Sequence, residues 1–430
     1  VVSAAGDTTN RILAIIKAQK ESGDTADILL DQLERFQQGL IHELLGSEFA
    51  APILEQSTVD FQRFRDFVAG KEIIEHEAEL LSYGELWSAR LLAALLRKQG
   101  TKADHIDARD FLKAEDAPEP VIQELESRHN LLNRVAPFPG TRFIVTGFIA
   151  RGLNGESLTL GRNGSDYSAT LVGSLLNSKQ VTIWKDVAGV YSADPRKIER
   201  VVSLSTLDWS EAEELARLGS PVLHPRTFQP VDRDRMVISV RSSLKVENQQ
   251  TRIGNFEHTE PKGKVFTSLS EVVLFKVELN DRELVKQLEA LDLTPLVSWT
   301  EPEKHQQYLV FHQNHLNYIS HWLDRINAGN AVTQIHGYSM VALVGNRIQE
   351  TDQYNTFKLQ LGEQKVRRFA VSEDGCSAVA ILEQKLDSRL LNRLHSQLFN
   401  YRRSLGVLVI GRGNIGTAWL DLFRQQRDRI

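Results

Sequence analysis

From residue 11 to about residue 100 the apolar positions recur at helical spacing. Leu29, Leu33, Phe36, Leu40 and Leu44 form one stripe, and Tyr83–Lys98 carries Leu86, Leu91, Leu92, Leu95 and Leu96 on a broad apolar face. The apolar residues between Phe61 and Phe67 read as core. Ahead of this stretch, Val1–Ala5 predicts the end of a buried strand and Gly6–Asn10 a turn with helix-capping residues. The period then changes. Strand-like Arg142–Ile149, a Gly-rich turn, a helix from about Asp166 to Leu176, strand Val181–Trp184, helix Ser210–Leu218 and strand Val237–Arg241 follow in order. Strands alternating with helices predict an α/β domain with a mostly parallel sheet covered by helices.

Asn255–Lys264 is polar and contains Pro261 and Gly263, which suggests a domain boundary. Beyond it the pattern predicts strand 272–279, helix 281–291, strands 294–299 and 307–311, helix 315–328 and strand 331–336. It then starts again with strand 339–345, helix 352–361, strands 365–371 and 376–382, and helix 386–402. Two successive β-α-β-β-α-β units suggest paired ferredoxin-like α+β modules. Gly406–Ile410 reads as a buried strand and Thr417–Phe423 as a helix, flanking Gly411, Gly413, Asn414, Ile415 and Gly416 of a G-x-G-x-x-G turn. Strand, glycine turn and helix in that order are what a pyrophosphate-binding turn requires, as at the first β-α of a Rossmann domain. The expected division is 1–258, 265–403 and 404–430.

Composition narrows the function classes. The 430 residues suit two to four domains, and 41% hydrophobic with 25% charged residues is ordinary for a globular protein. A formal net charge of -5 argues against nucleic acid or an anionic membrane surface as the main partner. No apolar run approaches the roughly 20 residues needed to span a bilayer, and no signal peptide is visible. The single cysteine, Cys376, allows no internal disulfide, which fits a cytoplasmic home. His305, His312, His315 and His321 have no metal-ligand spacing with supporting carboxylates. The chain opens at Val1 without a methionine and ends at Ile430 shortly after the glycine turn, which reads as part of a longer protein.

Two stretches carry candidate chemistry. In Leu158–Thr170, Gly161 and Gly164 permit a tight turn, and Ser165 can cap a helix whose N-terminus favours an anion. Arg162 adds a planar cation and Asp166 a carboxylate at the same helix start, although the two could simply pair with each other. In Val181–Arg196 a strand runs into a loop holding Lys185, Asp186, Tyr191, Asp194 and Arg196. Parallel sheets bind ligands at the carboxyl ends of their strands, so a flat ring with cations and carboxylates there would suit a nucleotide. A solvated loop is the alternative.

Together, Gly161-Arg-Asn-Gly-Ser-Asp-Tyr167 and Trp184-Lys-Asp-Val-Ala-Gly-Val-Tyr-Ser-Ala-Asp-Pro-Arg196 resemble the aspartokinase branch of the amino-acid kinase family. Val2-Ser-Ala-Ala-Gly-Asp-Thr-Thr-Asn10, Gly84-Glu-Leu-Trp-Ser88 and Val222-Leu-His-Pro225 resemble three further motifs of that family, in the same order. The small modules look like ACT domains. The tail resembles the start of homoserine dehydrogenase in the fused, bifunctional members, and Pro221 with the diverged modules looks more like their methionine-branch form.

The resemblance implies Mg-ATP-dependent phosphorylation of the side-chain carboxylate of L-aspartate, with an NAD(P)-dependent dehydrogenase to follow. It implies that Arg162 holds an aspartate carboxylate and Glu85 accepts from the ammonium group. Ser3, Thr9 and Ser165 would supply hydroxyl or backbone donors. Asp166 would orient the reacting groups or the catalytic lysine, and Asp186, Tyr191 and Arg196 would line the nucleotide site with Lys185. It also implies a homodimer or higher homo-oligomer built through the modules. Three departures stand out. The family's opening Lys-Phe-Gly-Gly strand is absent, which implies inactivity of the chain as it stands. Pro221 replaces a nucleotide-contacting lysine, for which Lys185 either compensates or serves only as a surface residue. No recognisable effector motif lies between Val272 and Arg402. The competing expectation is a degenerate kinase fold kept for assembly.

Overall fold

The computed structural model describes residues 1–21, 25–70, 73, 75–117, 120–161, 163–220, 222, 224–244, 250–256, 260–278, 294–313, 316, 319–320, 332–399, 413 and 417–422. Three helices lead: α1 (Thr8–Glu21), α2 (Ala26–Ala69) and α3 (Glu77–Lys98). The strand expected at Val1–Ala5 is a single parallel bridge from Val2 to Thr146, and Val1 is exposed. Helix α1 begins inside the expected turn, where the buried Thr8 hydroxyl donates to Ala5 O at 2.6 Å. The 44-residue α2 bends at Gly46 (φ 69°), a left-handed value that glycine adopts without strain. Ile12, Leu30, Leu33, Phe61, Phe64 and Trp87 make the shared core of the three helices. Each such side chain stabilises by about 1.5–3 kcal/mol when fully buried. Phe61 stacks on Trp87 at 4.6 Å, and the Trp87 indole donates to Asp60 Oδ2 at 2.9 Å. Arg90 donates to the same carboxylate oxygen. This polar anchor fixes the roll of α3 and with it the direction in which Glu85 points.

Next come β1 (Ala103–Ile106), β2 (Lys113–Glu115), β3 (Val121–Ile122) and α4 (Glu124–Val135), then β4 (Arg142–Val145), β5 (Ile149–Gly152) and β6 (Ser157–Thr159). The single strand expected over Arg142–Ile149 is therefore two, broken at Phe148 with φ 67°. Helix α5 (Gly164–Leu175), β7 (Gln180–Lys185), β8 (Thr206–Asp208), α6 (Trp209–Arg217), β9 (Val237–Ser242) and β10 (Gln250–Gly254) complete this part. Its strands fall into three groups: β1-β4, β3-β2-β5-β6 and β7-β9-β10-β8. The pairs β1–β4, β2–β5, β7–β9 and β8–β10 are parallel, and β2–β3, β5–β6 and β9–β10 antiparallel.

The C-terminal part holds β11 (Lys262–Glu278), β12 (Val297–Glu301), β13 (Gln306–His312), β14 (Val332–Asn346), α7 (Asp352–Leu361), β15 (Val366–Val371), β16 (Ser377–Leu382) and α8 (Ser388–Leu398). All six strands form one sheet, ordered β12-β13-β11-β14-β16-β15. Two expectations change here. Strand β11 starts ten residues before the predicted Val272, inside the expected boundary segment, and the strands predicted at 331–336 and 339–345 are one continuous β14. Register shifts near Leu269 and Val272 explain how one strand serves two α+β units: 262–269 pairs with 340–346, and 272–277 with 332–338. One sheet face packs under α7 and α8. The other joins Leu215, Leu218, Ile238 and Ile253 of the preceding part in one apolar cluster. The predicted helix 281–291 and the tail strand 406–410 lie outside the described residues, as does most of helix 315–328.

Candidate functional site

The site forms around a close approach of the N-terminal segment to α3. Residues Val2–Ala5 run beside α3 at Gly84, where an added Cβ would lie 2.7 Å from that of Ala4. That contact seats Glu85 against the same segment, and its Oε1 accepts from Ala4 N–H at 3.3 Å. Glu85 is 3% exposed, and its Oε2 has no hydrogen-bond partner among the described residues. Burial pushes its carboxyl up to about 7. A buried acceptor with one open lone-pair face suits a cation donor.

Gly147 brings in the next group. Its N–H donates to Val2 O at 2.8 Å, and an added Cβ would stand 2.9 Å from the Ser165 Cβ. Ser165 follows Gly164 at the start of α5, whose N-cap Asn163 takes the left-handed conformation. The start of α5 thus lies beside Gly147 and, through it, beside the segment carrying Ser3, which is exposed. Thr9 is half-buried in the first turn of α1; the fully buried hydroxyl there is the neighbouring Thr8, which accepts from Gln37.

Asp166, the third residue of the helix, meets Lys185 at the carboxyl end of β7, with Oδ2 2.5 Å from Nζ. Lys185 also lines an open cavity of about 120 Å³, together with Asp186, Tyr191, Asp194 and Arg196. The expected nucleotide residues are therefore gathered, and one ion pair links them to the Ser165 helix start. Arg196 is turned toward Asp194, donating from Nε at 3.0 Å and Nη2 at 3.1 Å. Although burial opposes ionisation of Asp194, these bonds hold its carboxyl below the usual range.

Several contributors escaped the sequence reading. The cavity is also lined by Leu215, Ser220 and Val222, and by Val265, Phe266 and Thr267 of β11. Arg226, directly after the Val222–Pro225 motif, donates to Leu160 O at 2.8 Å and lies 4.5 Å over the Tyr167 ring, tying that motif to the glycine turn. A position next to a recognised motif could have flagged Arg226; nothing local could have flagged β11. Arg162, Pro221, Gly411, Asn414, Ile415 and Gly416 lie outside the described residues. Of the glycine turn only Gly413 is described; its carbonyl accepts from Thr417 N–H at 3.0 Å, as a helix start would.

Residues 1–242 match the amino acid kinase family, so the chain belongs to that family. A particular branch stands out among its relatives. Bifunctional aspartokinase/homoserine dehydrogenase 2 of Escherichia coli (strain K12) is 35% identical over 439 residues, covering 100% of this chain and 54% of the relative. Lysine-sensitive aspartokinase 3 of the same organism is 30% identical over 247 residues, covering 56% of this chain and 54% of the relative. The fold is that of E. coli aspartokinase III solved with aspartate and ADP in its R-state (TM-score 0.81, 23% identity, 93% of this chain and 92% of that one). The T-state structure with lysine and aspartate gives a TM-score of 0.69 over the same shares. The resemblance to the bifunctional branch thus holds along the whole chain, which spans about half the length of the curated relatives it matches. Among the described residues no helix is long and apolar enough to cross a membrane.

Proposed function

We propose that this chain is the kinase-bearing part of a bifunctional aspartokinase/homoserine dehydrogenase of the methionine-branch type, acting in the cytoplasm as a homo-oligomer. The reaction is ATP-dependent phosphorylation of the L-aspartate side-chain carboxylate. The observation that carries this reading is the Asp166–Lys185 pair, which stands between the Glu85/Ser165 corner and the cavity lined by Tyr191 and Arg196. Aspartate enters the corner. Its ammonium group donates to Glu85, backbone and hydroxyl donors around Ser3, Thr9 and Ser165 take an α-carboxylate oxygen, and Arg162 grips a carboxylate. ATP fills the cavity with its phosphates toward Lys185.

A side-chain carboxylate oxygen then attacks the γ-phosphorus. The new O–P bond forms as the bond to the β-phosphate oxygen breaks, and ADP departs with that electron pair. Both reactants are anions, so charge neutralisation and alignment supply most of the rate. Lys185 neutralises charge at the meeting point, and Asp166 holds the ammonium there. No cluster of three or more metal-ligating side chains exists among the described residues. Magnesium would be held by the nucleotide phosphates, whose hard oxygens suit it, and would neutralise their charge. The Gly411–Gly416 turn would hold the pyrophosphate of NAD(P) for the dehydrogenase step.

The test is aspartate-dependent ADP release by the complete protein, with homoserine oxidation followed in parallel. ADP release without an aspartate requirement would refute the substrate, and no ADP release would favour a degenerate fold kept for assembly.

A further inference from the structure

We infer that His395, on α8 of the C-terminal part, is a positioning residue for the nucleotide cavity and acts through Ser192. The inference rests on the kinase reading above. Ser192 sits in the cavity wall between Tyr191 and Ala193, both of which line the cavity, and is itself 0% exposed. His395 is 3% exposed and 203 positions away, yet its Nε2 lies 3.0 Å from Ser192 Oγ.

The other polar groups of Ser192 are already used. Its N–H donates to Val202 O at 2.8 Å, and its carbonyl accepts from Phe266 N–H at 2.8 Å. Its Oγ accepts from Val202 N–H at 3.0 Å. What remains is the hydroxyl proton, and the acceptor in place for it is His395 Nε2. A neutral imidazole carries that lone pair, and burial holds His395 below its ordinary pKa, which favours the neutral form. Each polar group of Ser192 then has one partner, with none left over.

Two more contacts fasten the same wall to α8. Glu199 N–H donates to Asn392 Oδ1 at 3.2 Å, and Ile198 packs in the core beneath Leu391 and Leu394. The wall is thus held between β11, through Phe266, and α8, through His395. Movement of α8 reaches Tyr191 and Asp194 through Ser192 and these flanking contacts, while His395 itself does not line the cavity. Removing the imidazole strands a buried hydroxyl, and the wall relaxes away from the geometry that receives ATP.

The test uses the complete protein. ATP affinity is measured by calorimetry, with kcat and KM for aspartate and the melting temperature alongside. His395→Leu should weaken ATP binding about tenfold while leaving the aspartate KM nearly unchanged, since it removes one buried hydrogen bond beside one substrate only. His395→Gln carries an acceptor close to the Nε2 position and should recover most of the loss. If His395→Leu does not fold, Ser192→Ala should show the same selective loss, and Ser192→Ala that binds ATP normally overturns the inference. Normal ATP affinity in His395→Leu also overturns it, as does an equal loss for both substrates that His395→Gln does not rescue. A parent protein that binds no ATP overturns the kinase reading itself, which separates the two failures.

Discussion

Glu85→Gln separates the role of a buried carboxylate in folding from its role in substrate binding. Burial raises the Glu85 carboxyl from 4.5 to about 7. A carboxyl with a higher pKa folded than unfolded binds its proton more tightly in the folded state, so it lowers stability as pH rises from about 4.5 through 7. That gap of about 2.5 pH units is worth about 3 kcal/mol once both states are ionised. Glutamine keeps the shape and an acceptor for the Ala4 N–H but carries no charge. Below pH 4.5 the variant and parent should therefore be similarly stable, whereas at pH 8 the variant should be more stable by up to about 3 kcal/mol. Denaturant unfolding of both proteins between pH 4.5 and 8 reads this directly. In the complete enzyme the same variant should raise the aspartate KM strongly, because an amide cannot neutralise an ammonium group. The parent's aspartate KM should rise about tenfold per pH unit below 7, as the carboxylate is lost. A variant that becomes less stable than the parent as pH rises would show that a cation already neutralises Glu85 in the folded chain. An unchanged aspartate KM would remove Glu85 from the substrate corner.

Lys185→Met leaves the Asp166 carboxylate without the cation 2.5 Å away and, on the proposed mechanism, should lower kcat about 100-fold; stopped-time ADP assays check it, and a second substitution, Asp166→Asn, should add little. Gly147→Ala sets a Cβ 2.9 Å from that of Ser165, so the first turn of α5 must shift; kcat/KM for aspartate should fall well before the melting temperature does. Lys264→Met removes the cation 2.7 Å from Glu211, a carboxylate only 1% exposed, and should cost about 3–5 kcal/mol in urea unfolding. Glu211→Gln in that background should restore part of the loss.

Much of the molecule could be read from local pattern. The stripes around Leu33 and Leu86 placed α2 and α3, and the C-terminal elements from Asp352 to Leu382 fall within a residue or so of expectation. The Gly-rich turns located α5 and the loop after β7 because glycine and capping residues act locally. What stayed hidden was short or non-local. Strand β1 spans only Ala103–Ile106 with Asp104 and His105 inside it, too brief for a period to show. Helix α4 buries Leu131 but leaves Leu125 88% exposed, so its stripe is weak. The break at Phe148 depends on a left-handed φ carried by a phenylalanine, one residue after Gly147, where residue type gives no sign of it. The lining of the cavity by Val265–Thr267 and the Ser192–His395 bond arise from contacts between distant segments, and periodicity carries no information about those.

The polar segment near residue 258 marks a change in sequence pattern rather than a gap in packing. Helix α6 shows why. Its apolar face shares one cluster with β11, β13 and β14, and its acidic face is buried against the same sheet. There Glu211 meets Lys264, and Glu214 accepts from the Ser377 hydroxyl at 2.5 Å while holding Arg217. Arg217 in turn donates to the carbonyls of Pro295 and Leu296 at 2.9 Å. Such groups are costly to bury unless every partner is present, so neither part can move far from the other without exposing carboxylates that have lost their donors. The cavity lined by Lys185, Tyr191 and Arg196 lies at the edge of this interface, with β7 and its following loop on one side and β11 on the other. A C-terminal sheet that supplies part of the cavity wall, and is locked to α6 by charge, can reshape that cavity by small shifts of its own strands.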